Sequence, residues 1–188
     1  MLNRLKIILL CAALPVLAFT QQRVRPVMWF GPSDNVNVCG LNVSPLIFKL
    51  PSNSNVNGLN IEGIGIPIFA FMVPQDPVDN LDSIVIGNDF NVSGVSLSPA
   101  GFLQNGTVKG VAITSWFSII DQVNGVSISL LGSVELVHHG VTIAGYYNST
   151  YALEGVQIAM INTAKSVKGI QVGIVNRTTK LEGLQIGI

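Results

Sequence analysis

Few side chains in this sequence are able to do chemistry. Its only histidines, His138 and His139, are adjacent. Neighbours on a strand point to opposite sides, so the two cannot clamp one metal ion, and each is expected as a polar turn residue. No HExxH, paired CxxC or glycine–lysine phosphate loop occurs, and no serine stands in a GxSxG elbow. Carboxylates are sparse. A hydrolase carboxylate at Asp121 or Glu135 has no supporting motif, while Glu154 and Glu182 occupy equivalent repeat positions, as solvated turn residues would. Asp76, Pro77, Asp79, Asn80 and Asp82 form an acidic stretch that lacks the Gly and Glu of a calcium loop, so a solvated connection is expected. No catalytic, cofactor-binding or metal-binding residue is assigned, and the chain reads as a non-enzyme without a cofactor.

Two further groups of residues invite a functional reading. Trp116, Phe117, Tyr146, Tyr147 and Tyr151 cluster mid-chain and suit a binding strip or an interfacial belt. The competing expectation is that one member of each adjacent pair packs in the core. Asn-x-Ser/Thr triplets at Asn91, Asn105, Asn148 and Asn176 follow from turn chemistry.

Composition narrows the classes. Of 188 residues, 11% are charged and 48% apolar, against roughly 25% charged in an ordinary domain. Arg4 and Lys6 precede an apolar run from Ile7 to Phe19, the layout of a secretory signal over residues 1–20. Ala18 and Thr20 are the small residues before a cut at Gln21, with Thr a poor cleavage residue; an uncleaved anchor is the alternative. Without Arg4 and Lys6, 8 of the 10 basic residues remain against 10 acidic ones, a net charge of about −2. That balance offers no footprint for nucleic acid and no polybasic patch for anionic lipid. With Cys11 in the signal, Cys39 is a lone cysteine and is expected as a small buried apolar residue.

The elements that position these residues come from an internal repeat. Glycine followed by two apolar residues flanking a small or polar one recurs from Gly40-Leu41-Asn42-Val43 to Gly183-Leu184-Gln185-Ile186. From Gly94 through Gly110, Gly125, Gly140, Gly155, Gly169 and Gly183 the steps are 16, 15, 15, 15, 14 and 14 residues. An apolar residue stands two before nearly every glycine, as Val123, Leu153 and Val167 do; His138 takes that slot before Gly140. Period-2 alternation, β-branched residues and Asn/Ser/Thr punctuation make each unit a strand with a short turn. The fold class is all-β. Residues 21–39 form a lead-in, 40–93 divergent repeats with an apolar and acidic insertion, and 94–188 the regular repeats.

Two architectures can use 14–16-residue units of this kind. In a flat strand Ile170, Val172 and Ile174 share one face and Val167, Gly169, Gln171 and Gly173 the other. Apolar-out and polar-in is the pattern of a small antiparallel outer-membrane β-barrel. If Gly169 instead makes a corner, Val167 and Ile170 can both enter one core, which is the pattern of a β-solenoid. Identical motifs in identical order, joined by equally short connections, favour the solenoid. Stacking would then align Gln157, Gln171 and Gln185, and Asn162 and Asn176, as amide ladders.

The closing units Gly155-Val-Gln-Ile-Ala-Met-Ile-Asn162, Gly169-Ile-Gln-Val-Gly-Ile-Val-Asn176 and Gly183-Leu-Gln-Ile-Gly-Ile188 resemble those of bacterial surface-repeat proteins with tandem GLQIGLxN motifs. The resemblance is close over 94–188 and looser over 31–93. It implies export to the cell surface or outer membrane, transfers no catalytic residue, and implies a C-terminal segment beyond the last motif, so that a truncated chain is expected. The leading expectation is a non-enzymatic exported surface protein, structural or adhesive, acting through an unknown surface partner or self-association. The runner-up is a small outer-membrane barrel with a structural or transport role and the stripe of Val141, Ile143, Ile170, Val172 and Ile174 against lipid.

Overall fold

The computed structural model describes residues 27–30, 35–47, 53–65 and 90–188. The signal assigned to 1–20 and the acidic stretch at 76–82 lie outside the described residues. Ten strands form one sheet in chain order: β1 (Met28–Phe30), β2 (Asn37–Ile47), β3 (Ser54–Gly65), β4 (Phe90–Ser98), β5 (Gly101–Thr114), β6 (Phe117–Ser129), β7 (Gly132–Ala144), β8 (Tyr147–Ile158), β9 (Ile161–Val172) and β10 (Val175–Ile186). Every neighbouring pair is parallel.

Parallel neighbours need a crossover of about a dozen residues, yet only two residues, Ala159 and Met160, separate β8 from β9. Each strand therefore supplies its own crossover by turning back at its glycine, and successive coils stack. The fold is a β-solenoid. An up-and-down barrel reverses direction at every strand, so the parallel pairing overturns the barrel alternative.

The repeat glycines form one column, Gly58 pairing with Gly94 and Gly169 with Gly155 and Gly183. The stack thus continues in register on either side of residues 66–89. Gly169 shows why the column admits nothing larger. Its φ is +145°, and a Cβ there would lie 1.9 Å from the carbonyl oxygen of Gly155. Positive φ makes the corner, and the missing side chain lets the next coil approach.

The corner decides what is inside. Val38, Val56, Val92, Val108, Val123, Leu153 and Val167, two residues before their glycines, are all buried. Beyond the corner the buried position is two residues after the glycine, held by Asn42, Asn60, Ser96, Ala112, Ser127, Thr142, Gln157 and Gln171. The residues on either side of it face outward, so Ile170 is 38% exposed and Ile143 36%. This corrects the expectation that Val167 and Ile170 share one core: the residue opposite Val167 is Gln171. Alternation holds on both arms of the coil, and the turn at Gly169 places the polar phase inside.

Candidate functional site

Three features of this scaffold bear on function: the polar interior, the apolar outer face and the polar corner that carries the glycines.

From Gln157 onward the interior amides bond along the stacking axis. Gln171 Nε2 donates to Gln157 Oε1 at 2.7 Å, and Gln185 Nε2 donates to Gln171 Oε1 at 2.6 Å. Asn162 Nδ2 donates to Asn176 Oδ1 at 2.8 Å and also closes its own coil, donating to the carbonyl of Val172 at 2.8 Å. Asn176 closes the next coil through the carbonyl of Ile186 at 2.9 Å. Both amide ladders expected from the spacing are present. Identical coils place identical side chains about 4.8 Å apart, so an amide meets its own kind as donor and acceptor without water. Asn148 is wholly buried in the same column, and Asn148, Asn162 and Asn176 serve as internal staples.

One coil departs from this pattern. On β7, Ser133 Oγ donates to Glu135 Oε1 at 2.6 Å, and His138 Nδ1 donates to Glu135 Oε2. Both Glu135 and His138 are fully buried. His138 stacks between Val123 and Leu153, and Glu135 between Ile120 and Thr150. The structure thereby corrects the expectation that His138 is a turn residue; it is a core residue. His139 points the other way, 3.8 Å from Glu154, in keeping with the opposite facing read from adjacency. No motif in the sequence pairs Glu135 with His138. The signal was His138 in a column of valines, which demands a buried partner. Asp121 is half-buried on β6 and does not join the pair. A hydroxyl, a carboxylate and an imidazole in a row have the chemical makings of a nucleophile relay. Zero exposure denies this one a substrate.

The outer face carries the repeated apolar residues. Val126, Val141, Val156 and Ile170 form one column, and Ile128, Ile143, Ile158 and Val172 the next. Beyond them a corner column brings Trp116, Leu131 and Tyr146 together through backbone bonds from Leu131 N to Trp116 O and from Tyr146 N to Leu131 O. Trp116 is 51% and Tyr146 54% exposed, whereas Phe117 and Tyr147 are half-buried beside them. The strip reading thus fits Trp116 and Tyr146, and neither pair sends a member into the central core. Tyr151 lies apart, with the Lys165 ammonium 4.6 Å from its ring centre. Among the described residues no group of three His, Cys, Asp or Glu side chains could hold a metal ion. Cys39 is exposed rather than buried, because the residue before each glycine points outward at the corner. No helix among the described residues is long and apolar enough to cross a membrane.

No protein-family model, curated protein or solved structure matches the chain.

Proposed function

We propose that the chain is a non-enzymatic, exported surface repeat protein whose role is structural or adhesive. The observation that carries this reading is the inverted facing of the repeat: amides inside, Val/Ile ladders outside. An outer face with no charged side chain in its columns over β4–β10, edged by Trp116 and Tyr146, is one that water solvates poorly. Exposed apolar surface of this continuity marks contact with another molecule. A parallel stack whose buried amides bond along its axis is a rigid support for it. The polar trio on β7, sealed from solvent, supports a structural over a catalytic reading. Protease shaving of intact cells tests the location: release of peptides from the exposed coils is expected, and full protection of the protein overturns the reading. Replacing Ile128, Ile143 and Ile158 together with Thr keeps the β-branch and tests the face. Loss of adhesion with unchanged melting is the expected outcome.

A further inference from the structure

A groove lies on the polar corner of the first coils, away from the apolar face. Asn55, Asn91, Thr107 and Gln122 stand three residues before their glycines, and Lys109 and Asn124 one before. These positions flank the inward-pointing valines, so their side chains share the outer side. The groove encloses about 480 Å³, within the range of small-ligand sites, and spans four coils, or roughly 14 Å at the inter-strand spacing. It opens where the β5–β6 register slips between Gln104 and Thr107.

Its chemistry is distinct from the rest of the corner. In later coils the same two columns hold Val137, Ala152 and Ser166 beside His139, Glu154 and Lys168. The side chains there answer one another, Glu154 lying 3.8 Å from His139 and 3.9 Å from Lys168. Lys109 instead neighbours Ser93 and Asn124, and among the described residues it has no carboxylate partner. Asn91 Nδ2 donates to Asn55 Oδ1 and Gln122 Nε2 donates to Asn124 Oδ1. Asn55 and Asn91 are engaged on both sides, Asn55 Nδ2 also donating to Asn37 Oδ1 at 2.7 Å and Asn91 Oδ1 accepting from Thr107 N at 3.2 Å. Asn124, by contrast, keeps its amide donor and Gln122 its carbonyl acceptor.

We infer that this groove binds an acidic sugar, a hydroxyl-rich ring bearing a carboxylate. A hydroxyl both donates and accepts, so the open Asn124 donor and Gln122 acceptor, side by side, suit a ring of hydroxyls. The Lys109 ammonium has three donors and no acceptor, and a carboxylate answers it with a charge-assisted bond. One lysine without an arginine is a weak match for a dianionic phosphate, which bidentate arginine clusters serve. Among the described residues no aromatic ring lines the groove to stack a nucleobase.

The inference names a ligand class for the binding role proposed above. Its test uses the purified full chain and is independent of surface exposure. Sodium glucuronate, glucose and sodium phosphate are titrated separately while the side-chain amide NMR signals of Gln122 and Asn124 are followed. Glucuronate is expected to shift both signals with millimolar affinity and glucose more weakly. Lys109→Met should weaken glucuronate tenfold or more, and Lys168→Met, in the self-paired part of the corner, should leave it unchanged. The backbone amide spectrum of each variant reports that the fold is intact. Equal binding of glucose and glucuronate, phosphate binding as tightly as glucuronate, or no shift at tens of millimolar would each overturn the assignment.

Discussion

The core of the solenoid is built in two ways, and the contrast shows what a repeat fold tolerates. In β8–β10 the interior position after the glycine is always glutamine, and Gln157, Gln171 and Gln185 bond to one another. In β6 and β7 the same position holds Ser127 and Thr142, whose hydroxyls are too short to bridge two coils. Among the described residues, every buried side-chain polar atom without a partner lies between Ser118 and Ser149. His138 Nε2 is one of them. Polar atoms in an interior are inexpensive when the next coil answers them and costly when it does not. Uniformity along the axis is what makes a polar core stable.

The sharpest way to break the contrast is at Glu135 and His138. Replacing His138 with Val restores the residue type of its column but leaves Glu135 buried without its imidazole partner. Removing one member of a buried pair costs about 3–5 kcal/mol. A repeat stack is stabilised by its own units and their nearest neighbours, so amide exchange should quicken in β6–β8 and change little in β2 and β3. The double variant Glu135→Ile, His138→Val copies Ile120 and Val123 from the preceding coil. It should recover the loss and end neutral or more stable than the parent. A double variant as unstable as the single one would show that the pair contributes more than satisfying each other's polar atoms.

The glutamine ladder gives the next largest effect. Gln171→Leu leaves the Gln157 carbonyl and the Gln185 amide without their partners. At about 1–3 kcal/mol for each buried group, the loss should reach roughly 3 kcal/mol, read by denaturant melts and concentrated in β8–β10 by amide exchange. Substituting all three glutamines with Leu should cost less than Gln171→Leu alone, because one orphan, the Thr150 hydroxyl that accepts from Gln157 Nε2, replaces two. A triple variant worse than the single one would mean that packing, and not bonding, holds this column.

Much of this was legible before the structure. The glycine spacing set the register, and the recurrence of Gln157, Gln171 and Gln185 one coil apart announced their ladder. What stayed hidden was which phase of the alternation turns inward. Hydropathy favours Ile170 over Gln171 for a core, since an isolated buried amide is costly. That cost vanishes when the neighbour one coil away is also an amide, a property of the stack that no single unit displays. The facing read for a barrel, apolar out and polar in, was right for Ile170 and Gln171, while the solenoid was right for the architecture. His138 was hidden for a related reason. Its partner Glu135 stands where Ile120, Thr150 and Ala164 stand in other coils, a column too varied to flag one carboxylate.

The hydroxyl region also predicts a gain. Thr142 is fully buried with an unpartnered Oγ1. Val has nearly its shape and no polar atom, so Thr142→Val should stabilise the protein by about 1 kcal/mol. The same exchange of a hydroxyl for an apolar group at Thr150, which accepts a bond from Gln157 Nε2 at 3.3 Å, should destabilise it. Opposite signs at two buried threonines on adjacent strands would sharpen the rule that partnership, and not polarity, sets the cost.

The smallest effect contrasts two carboxylates, Glu135 inside and Glu182 outside. Lys180 Nζ donates to Glu182 Oε1 at 3.1 Å, and this bond, with the lysine's charge, holds the Glu182 carboxyl below its ordinary pKa. A depressed folded-state value adds stability above the ordinary carboxylate range, and that contribution is lost as pH falls through the folded value. Because Glu182 is fully exposed, solvent and salt screen the pair, and its weight lies in the titration rather than in the melt. An NMR titration of the Glu182 side chain should show its midpoint rise in Lys180→Met and rise in the parent protein on adding salt. Lys168, the weaker of the two cations acting on Glu182, should move it less when replaced. If Lys168→Met shifts the midpoint more than Lys180→Met, the stacked column before the glycines, and not the neighbour along the strand, governs charge at this corner.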